Sequence, residues 1–162
     1  MLDDVVKGAV EGLVRGILAR KSDETTDQID AQSFVLRDGK GRGRAVLAML
    51  EEGPGLTLLN RREEVKALLG LDKEGPYLQF WGKDDRTTVL LRMDDNEPEL
   101  LFFDAKNVPR ASLGLDSEGP CLQLLDGNGK CRVQLNMDAE DGPSVVLYDE
   151  NEQQVQQLEV PE

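Results

Sequence analysis

Residues 120–138, Pro120-Cys121-Leu122-Gln123-Leu124-Leu125-Asp126-Gly127-Asn128-Gly129-Lys130-Cys131-Arg132-Val133-Gln134-Leu135-Asn136-Met137-Asp138, decide the fold. Leu122 and Leu124 alternate with other residues on one side of a polar segment, and Val133, Leu135 and Met137 alternate on the other. A period of two is that of a β-strand with one apolar face. Asp126-Gly127-Asn128-Gly129 between them has the chemistry of a type I turn followed by a left-handed residue, because the Asp side chain bonds the turn amides and Gly tolerates positive φ. The stretch reads as two antiparallel strands joined by a tight turn.

The same pattern runs through the chain. Pro54, Pro76, Pro98, Pro120 and Pro143 are separated by 22, 22, 22 and 23 residues, and each closes an acidic stretch. A sixth copy begins one period earlier, near Gln32. The columns agree in chemistry: Phe34, Leu56, Leu78, Leu100, Leu122 and Val145 follow each start, and Leu47, Leu69, Leu91, Leu113 and Leu135 recur in the second half. Self-similarity at a fixed period marks a repeat architecture. The expected fold is mainly β: an antiparallel meander of six repeats of about 22 residues and two strands each, starting near 32, 54, 76, 98, 120 and 143. That gives 11 or 12 strands, the last copy being cut short by the C-terminus.

A parallel β-solenoid with one coil per repeat is the alternative. It would stack Asp72, Asp94, Asp116 and Asp138 about 4.8 Å apart as a ladder of like charges. In a meander the equivalents lie about twice as far apart and screening is effective. The meander is therefore the preferred reading.

The first strand of every copy after the first carries one further large apolar residue, Leu59, Trp81, Phe103, Leu125 or Tyr148, out of phase with its alternating pair. These five point to the opposite face and form a candidate interface or binding face. A single sheet that is apolar on both sides in part must close on itself, as a prism, barrel or sandwich, or be covered by other copies.

Phe34-Val35-Leu36-Arg37-Asp38 through Arg44-Ala45-Val46-Leu47, with the later Asp-x-x-Gly-x-x-Arg segments, resembles a loose group of uncharacterised bacterial and phage-like proteins. In that group an N-terminal helix precedes tandem Phe/Leu-x-Leu-x-Asp-x-x-Gly-x-x-Arg-Ala-x-Leu repeats. The resemblance covers residues 29–150 and implies a β-hairpin repeat fold but no activity. Trp81 and Gly82, with the turn after them, depart from the pattern, as do residues 60–63. There is also a distant likeness to MORN repeats, whose Tyr, Trp and Gly columns are absent here.

Before the repeats, Leu2, Val6, Val10, Leu13 and Ile17 recur at helical spacing and predict an amphipathic helix over 1–21. Gly8, Gly12 and Gly16 form a row of small residues that lets another backbone approach closely. Residues 22–31 read as a polar linker to a repeat domain over 32–162. The helix can form a bundle with its copies, dock on its own sheet, or lie on a membrane or partner. The wide uninterrupted face puts the bundle first, since a membrane-surface helix is usually rich in Lys and Arg.

Composition narrows the chemistry. The chain has 162 residues, 19 Lys+Arg against 32 Asp+Glu, and a formal charge of −13. So acidic a molecule lacks the positive footprint that nucleic acid or an anionic membrane requires. It has no His, the commonest general base and a common zinc ligand. Asp126-Gly127-Asn128-Gly129 has a fragment of calcium-loop character, but Lys130 stands where a ligand is wanted, so a turn is the better reading. Acid clusters such as Asp94-Asp95-Asn96-Glu97 recur with the repeat and read as solvated connections. Cys121 and Cys131 are two free thiols whose phases oppose unless a bulge intervenes. No catalytic residue, metal or cofactor is expected. With no apolar stretch of 18 residues and charges through the N-terminus, a cytoplasmic protein is expected, alone or in an assembly such as a virion.

The leading functional expectation is a non-enzymatic structural or interaction protein: a homo-oligomer, a trimer, acting as a β-repeat scaffold or fibre-like module. The alternative is a peripheral adaptor, whose helix docks on a membrane or partner while a monomeric repeat domain binds a protein.

Overall fold

Twelve strands follow one another in the order of the chain, and each pairs antiparallel with its sequence neighbours. The computed structural model describes residues 31–94, 96–138 and 142–159. The helix expected over 1–21, with Val6, Gly8, Val10, Gly12, Leu13, Gly16 and Ile17, lies outside them, as does nearly all of the linker. The strands are β1 (Ser33–Arg37), β2 (Gly43–Met49), β3 (Pro54–Leu59), β4 (Val65–Leu71), β5 (Pro76–Trp81) and β6 (Thr87–Asp94), followed by β7 (Glu97–Phe103), β8 (Pro109–Leu115), β9 (Pro120–Leu125), β10 (Cys131–Asp138), β11 (Gly142–Tyr148) and β12 (Gln154–Glu159). All belong to the unit of residues 32–162.

The meander forms, and three other readings need correction. Every ladder is antiparallel, which overturns the parallel solenoid. Among the described residues the sheet also does not close: β1 pairs only with β2 and β12 only with β11. A sandwich needs a connection that carries the chain to a second sheet, and a barrel needs β12 beside β1. Here each strand pairs with its sequence neighbours instead. The sixth copy is not cut short either, since β12 forms and sets Leu158 opposite Val145.

One turn geometry serves all six hairpins, whatever the residues. The fourth residue of each turn takes positive φ: Gly41 79°, Glu63 63°, Asp85 54°, Asn107 61°, Gly129 81° and Glu152 62°. The first residue, usually Asp, accepts two turn amides on one side-chain oxygen. Asp126 Oδ1 accepts from the amides of Asn128 (2.8 Å) and Lys130 (3.2 Å). Asn60 does the same with its amide oxygen for Arg62 and Glu64. At 82–86 Gly82 offers no side chain, yet its amide still donates to the Arg86 carbonyl at 2.8 Å. The two sequence departures are therefore chemical and not structural.

Next to each of these turns the register slips by one residue, leaving Arg44, Lys66, Thr88, Arg110, Arg132 and Val155 as extra residues. Such β-bulges re-aim a side chain. Three of the basic ones reach forward one repeat. Arg44 donates to the Asn60 carbonyl, Lys66 Nζ to that of Gly82 at 3.0 Å, and Arg110 Nε to that of Leu125 at 3.0 Å. The longer proline interval, 23 residues, is absorbed in the link from β10 to β11: Asp138 pairs with Gly142, whereas Asp94 pairs with Glu97.

Candidate interaction surface

The register carries the apolar columns across the whole sheet. Phe34, Leu47, Leu56, Leu69, Leu78 and Leu91 are consecutive cross-strand partners, and the row continues through Leu100, Leu113, Leu122, Leu135 and Val145 to Leu158. A second row on the hairpin side runs from Leu36 and Ala45 to Val133 and Leu147. A third, on the side of the inter-repeat links, alternates Met or Leu with Pro, as in Met49 opposite Pro54 and Leu71 opposite Pro76. Residues two apart share a face, so all three rows stand on one side of the sheet.

Nothing among the described residues covers this side. Eighteen of its large apolar side chains are between 37% (Leu56) and 69% (Met49) exposed. Among described apolar residues only Ala67 and Val146 are buried, and no side chain is fully enclosed. A single layer shields its side chains only by their row neighbours, and domains ordinarily pack two layers to form a core.

The opposite face is mixed. Its central row mixes Val35, Val46, Leu68, Leu90 and Leu101 with Thr57 and Gln79, and continues through Ser112, Gln123 and Gln134 to Val146. Leu59, Trp81, Phe103, Leu125 and Tyr148, the expected interface column, line up on this face beside the hairpin turns and are half-buried. The more exposed apolar surface is the other side. Arg92 pairs with Glu99 on the adjacent strand at 2.8 Å.

A groove of about 450 Å³ on the mixed face is lined by Cys121, Gln123, Gln134, Asn136 and Ser144, with Asp116 and Glu118 at its rim. Its amides engage one another and the neighbouring phenol. Gln134 Nε2 donates to Asn136 Oδ1 at 2.9 Å, and the Tyr148 hydroxyl donates to Gln134 Oε1 at 3.0 Å.

Cys121 and Cys131 are free and half-buried. The bulge at Arg132 sets Cys131 opposite Leu125, while Cys121 is opposite Asn136. The bulge breaks the simple alternation from which opposed phases were expected. The thiols are instead kept apart along the hairpin, by roughly 13 Å for four residue positions. Burial raises both thiol pKa values above the ordinary one, which disfavours the nucleophilic thiolate.

The turn carboxylates are consumed structurally. Arg42 bonds Asp38 and, with turn amides, holds its pKa down to about 2. The amide of Asn128 does most to lower that of Asp126. Among the described residues no group of three or more His, Cys, Asp or Glu is placed to hold a metal ion. No described helix is long and apolar enough to cross a membrane.

Charge divides between the two ends of the strands, a feature the column-by-column reading missed although the repeat phase contains it. The described residues of the inter-repeat links, 50–53, 72–75, 94, 96–97, 116–119, 138 and 142, hold nine acids and one base, Lys73. The hairpin turns, with Arg37 and the bulge residues, hold 10 acids and 13 bases. One end is thus strongly negative and the other slightly positive.

A scan against protein-family models finds no family that matches the chain, and a search of curated proteins finds no match either.

Proposed function

We propose that the protein is a non-enzymatic structural module, a homo-oligomeric and specifically trimeric β-repeat scaffold whose apolar face is buried between subunits. The observation that carries this reading is the uncovered apolar face, with 18 large side chains at least 37% exposed. The largest patch on a typical monomer is about 300–600 Å². Half-exposed side chains in this number expose on the order of 1,000 Å². Covering the face supplies the second layer that the sheet lacks. The turns support a scaffolding role, because one hairpin geometry repeated six times sets the face at a constant pitch.

Light scattering coupled to size exclusion tests the reading. The full chain should have three times its single-chain mass of 17.9 kDa. Leu91→Lys, which places a charge in the central apolar row, should give a monomer with an unchanged strand signal in circular dichroism. A monomeric wild-type chain would overturn the proposal.

A further inference from the structure

We propose that the axis relating the copies runs along the array, across the strands, so that the acidic link end of each sheet lies beside the hairpin end of its neighbour. The inference rests on the homo-oligomer reading and adds the orientation of the copies.

Area identifies the occupant as another copy of the chain. The apolar face exposes on the order of 1,000 Å², against about 800 Å² per partner in a standard stable interface. It is continuous over all twelve strands, and a surface of that length is matched by a second array of the same pitch.

Charge fixes the orientation. With nine acids and one base among the described residues of the link end, an axis parallel to the strands would set the link ends of the copies together and stack like charge on like charge. An axis along the array sets each link end against 13 bases and 10 acids at the neighbour's hairpin end. Complementary potentials of this kind fix register and exclude the wrong arrangement.

Side-chain size fits this orientation, while charge alone separates it from a two-fold axis along the strands, which would also set large against small, as Met49 against Pro143. On β2 the hairpin-side row has Ala45 and the link-side row Met49; on β3 they are Leu58 and Pro54; on β4, Ala67 and Leu71. The same opposition of large and small holds on every strand through β11. Reversing one array against another while keeping strand opposite equivalent strand brings each large residue of an outer row to a small one. Interdigitation of large with small is what a close-packed interface requires. Two-fold and three-fold axes in this direction both achieve it.

The experiment uses full-length chains carrying Cys121→Ser and Cys131→Ser. One chain also carries Glu97→Cys, at the start of β7, and a co-expressed chain carries Lys106→Cys, in the turn after β7. Within a chain these positions are about a strand length apart, roughly 23 Å for seven residues. A short bismaleimide should join the two kinds of chain to each other, and Glu97→Cys chains alone should not be joined. Joining of Glu97→Cys chains to one another, or absence of the mixed product from an oligomer, would overturn the orientation while leaving the homo-oligomer standing. A monomeric mass would overturn both.

Discussion

The ring of Tyr77 lies over Gly70: the two residues are direct cross-strand partners, and a Cβ on Gly70 would stand 2.6 Å from the ring's Cζ. Gly70 is buried, and Tyr77 is half-buried. A glycine in a strand interior weakens it unless something approaches closely. Here the missing side chain is the space the phenol occupies.

Gly70→Ala is therefore expected to lower stability by about 1–3 kcal/mol, the usual cost of overpacking. Gly114 occupies the same column two repeats later, but a Cβ there meets only the Pro98 carbonyl, at 3.7 Å. Gly114→Ala should be neutral or slightly stabilising. Denaturant midpoints for the two variants check the contrast, and Tyr77→Leu should relieve much of the Gly70→Ala cost.

The turn aspartates predict an acid limb to stability. Turn amides and nearby basic side chains depress the folded-state pKa values of Asp104, Asp126 and Asp149, and Arg42 with turn amides takes that of Asp38 from 3.8 to about 2. The unfolded chain then binds protons first as pH falls. This contribution is present above the ordinary Asp value and is lost on acidification from 3.8 towards about 2. Asn60 holds the same two amides with a neutral oxygen. Replacing Asp104, Asp126 and Asp149 by Asn should thus flatten the acid limb while keeping the turns, whereas Ala at all three should lower the melting temperature throughout. Thermal melts between pH 2 and 6 measure this.

Much of this fold was legible because each repeat states the same pattern. Pro54, Pro76 and Pro98 mark the period, Leu56, Leu78 and Leu100 mark the face, and Asp38 and Asp126 mark the turn. The bulges were not legible as such: Arg44 and Arg110 look like ordinary strand residues, and only the register exposes them as the extra residue. Closure was hidden for a different reason, since β1 and β12 carry much of the same pattern as interior strands. For the surface, the out-of-phase column with Trp81 and Phe103 drew attention by its large residues, but those are half-covered by their surroundings. The uncovered side consists of the alternating columns, which read as core in isolation because a strand pattern cannot say whether a second layer exists.

Lys66 ties neighbouring repeats at the turn least able to hold itself. Its Nζ donates to the Gly82 carbonyl and sits 2.5 Å from Asp85 Oδ1, and that hydrogen bond does most to raise its pKa. The turn at 82–86 has no carboxylate on its first residue, whereas the turn at 126–130, which follows the bond from Arg110 to the Leu125 carbonyl, has Asp126. Lys66→Met should accelerate amide hydrogen exchange over residues 82–86 more than Arg110→Met does over 126–130. Equal acceleration would mean that the forward bonds, and not the Asp side chains, set turn order.

The two thiols should report on the sheet from within. Burial is the main cause of the raised pKa at both Cys121 and Cys131, so near neutral pH each is less ionised than an ordinary thiol and should alkylate slowly. Separation along the hairpin rules out their bridging without backbone movement. Mass spectrometry after alkylation should therefore find two modified cysteines with or without prior reductant. A protonated thiol preferred by the folded state has a further consequence: stability present below the unfolded value of about 9 is lost as pH rises through the higher folded value. Replacing both by Ser should remove that part of the alkaline limb. What remains should belong to Tyr77, whose pKa burial and the charges of Asp72 and Glu52 push above 10.0, and at the upper end to Lys66, whose pKa the hydrogen bond to Asp85 raises. Denaturant titrations of both proteins between pH 8 and 11 separate the two contributions, and an unchanged limb in the Ser variant would show that the thiols are not its source.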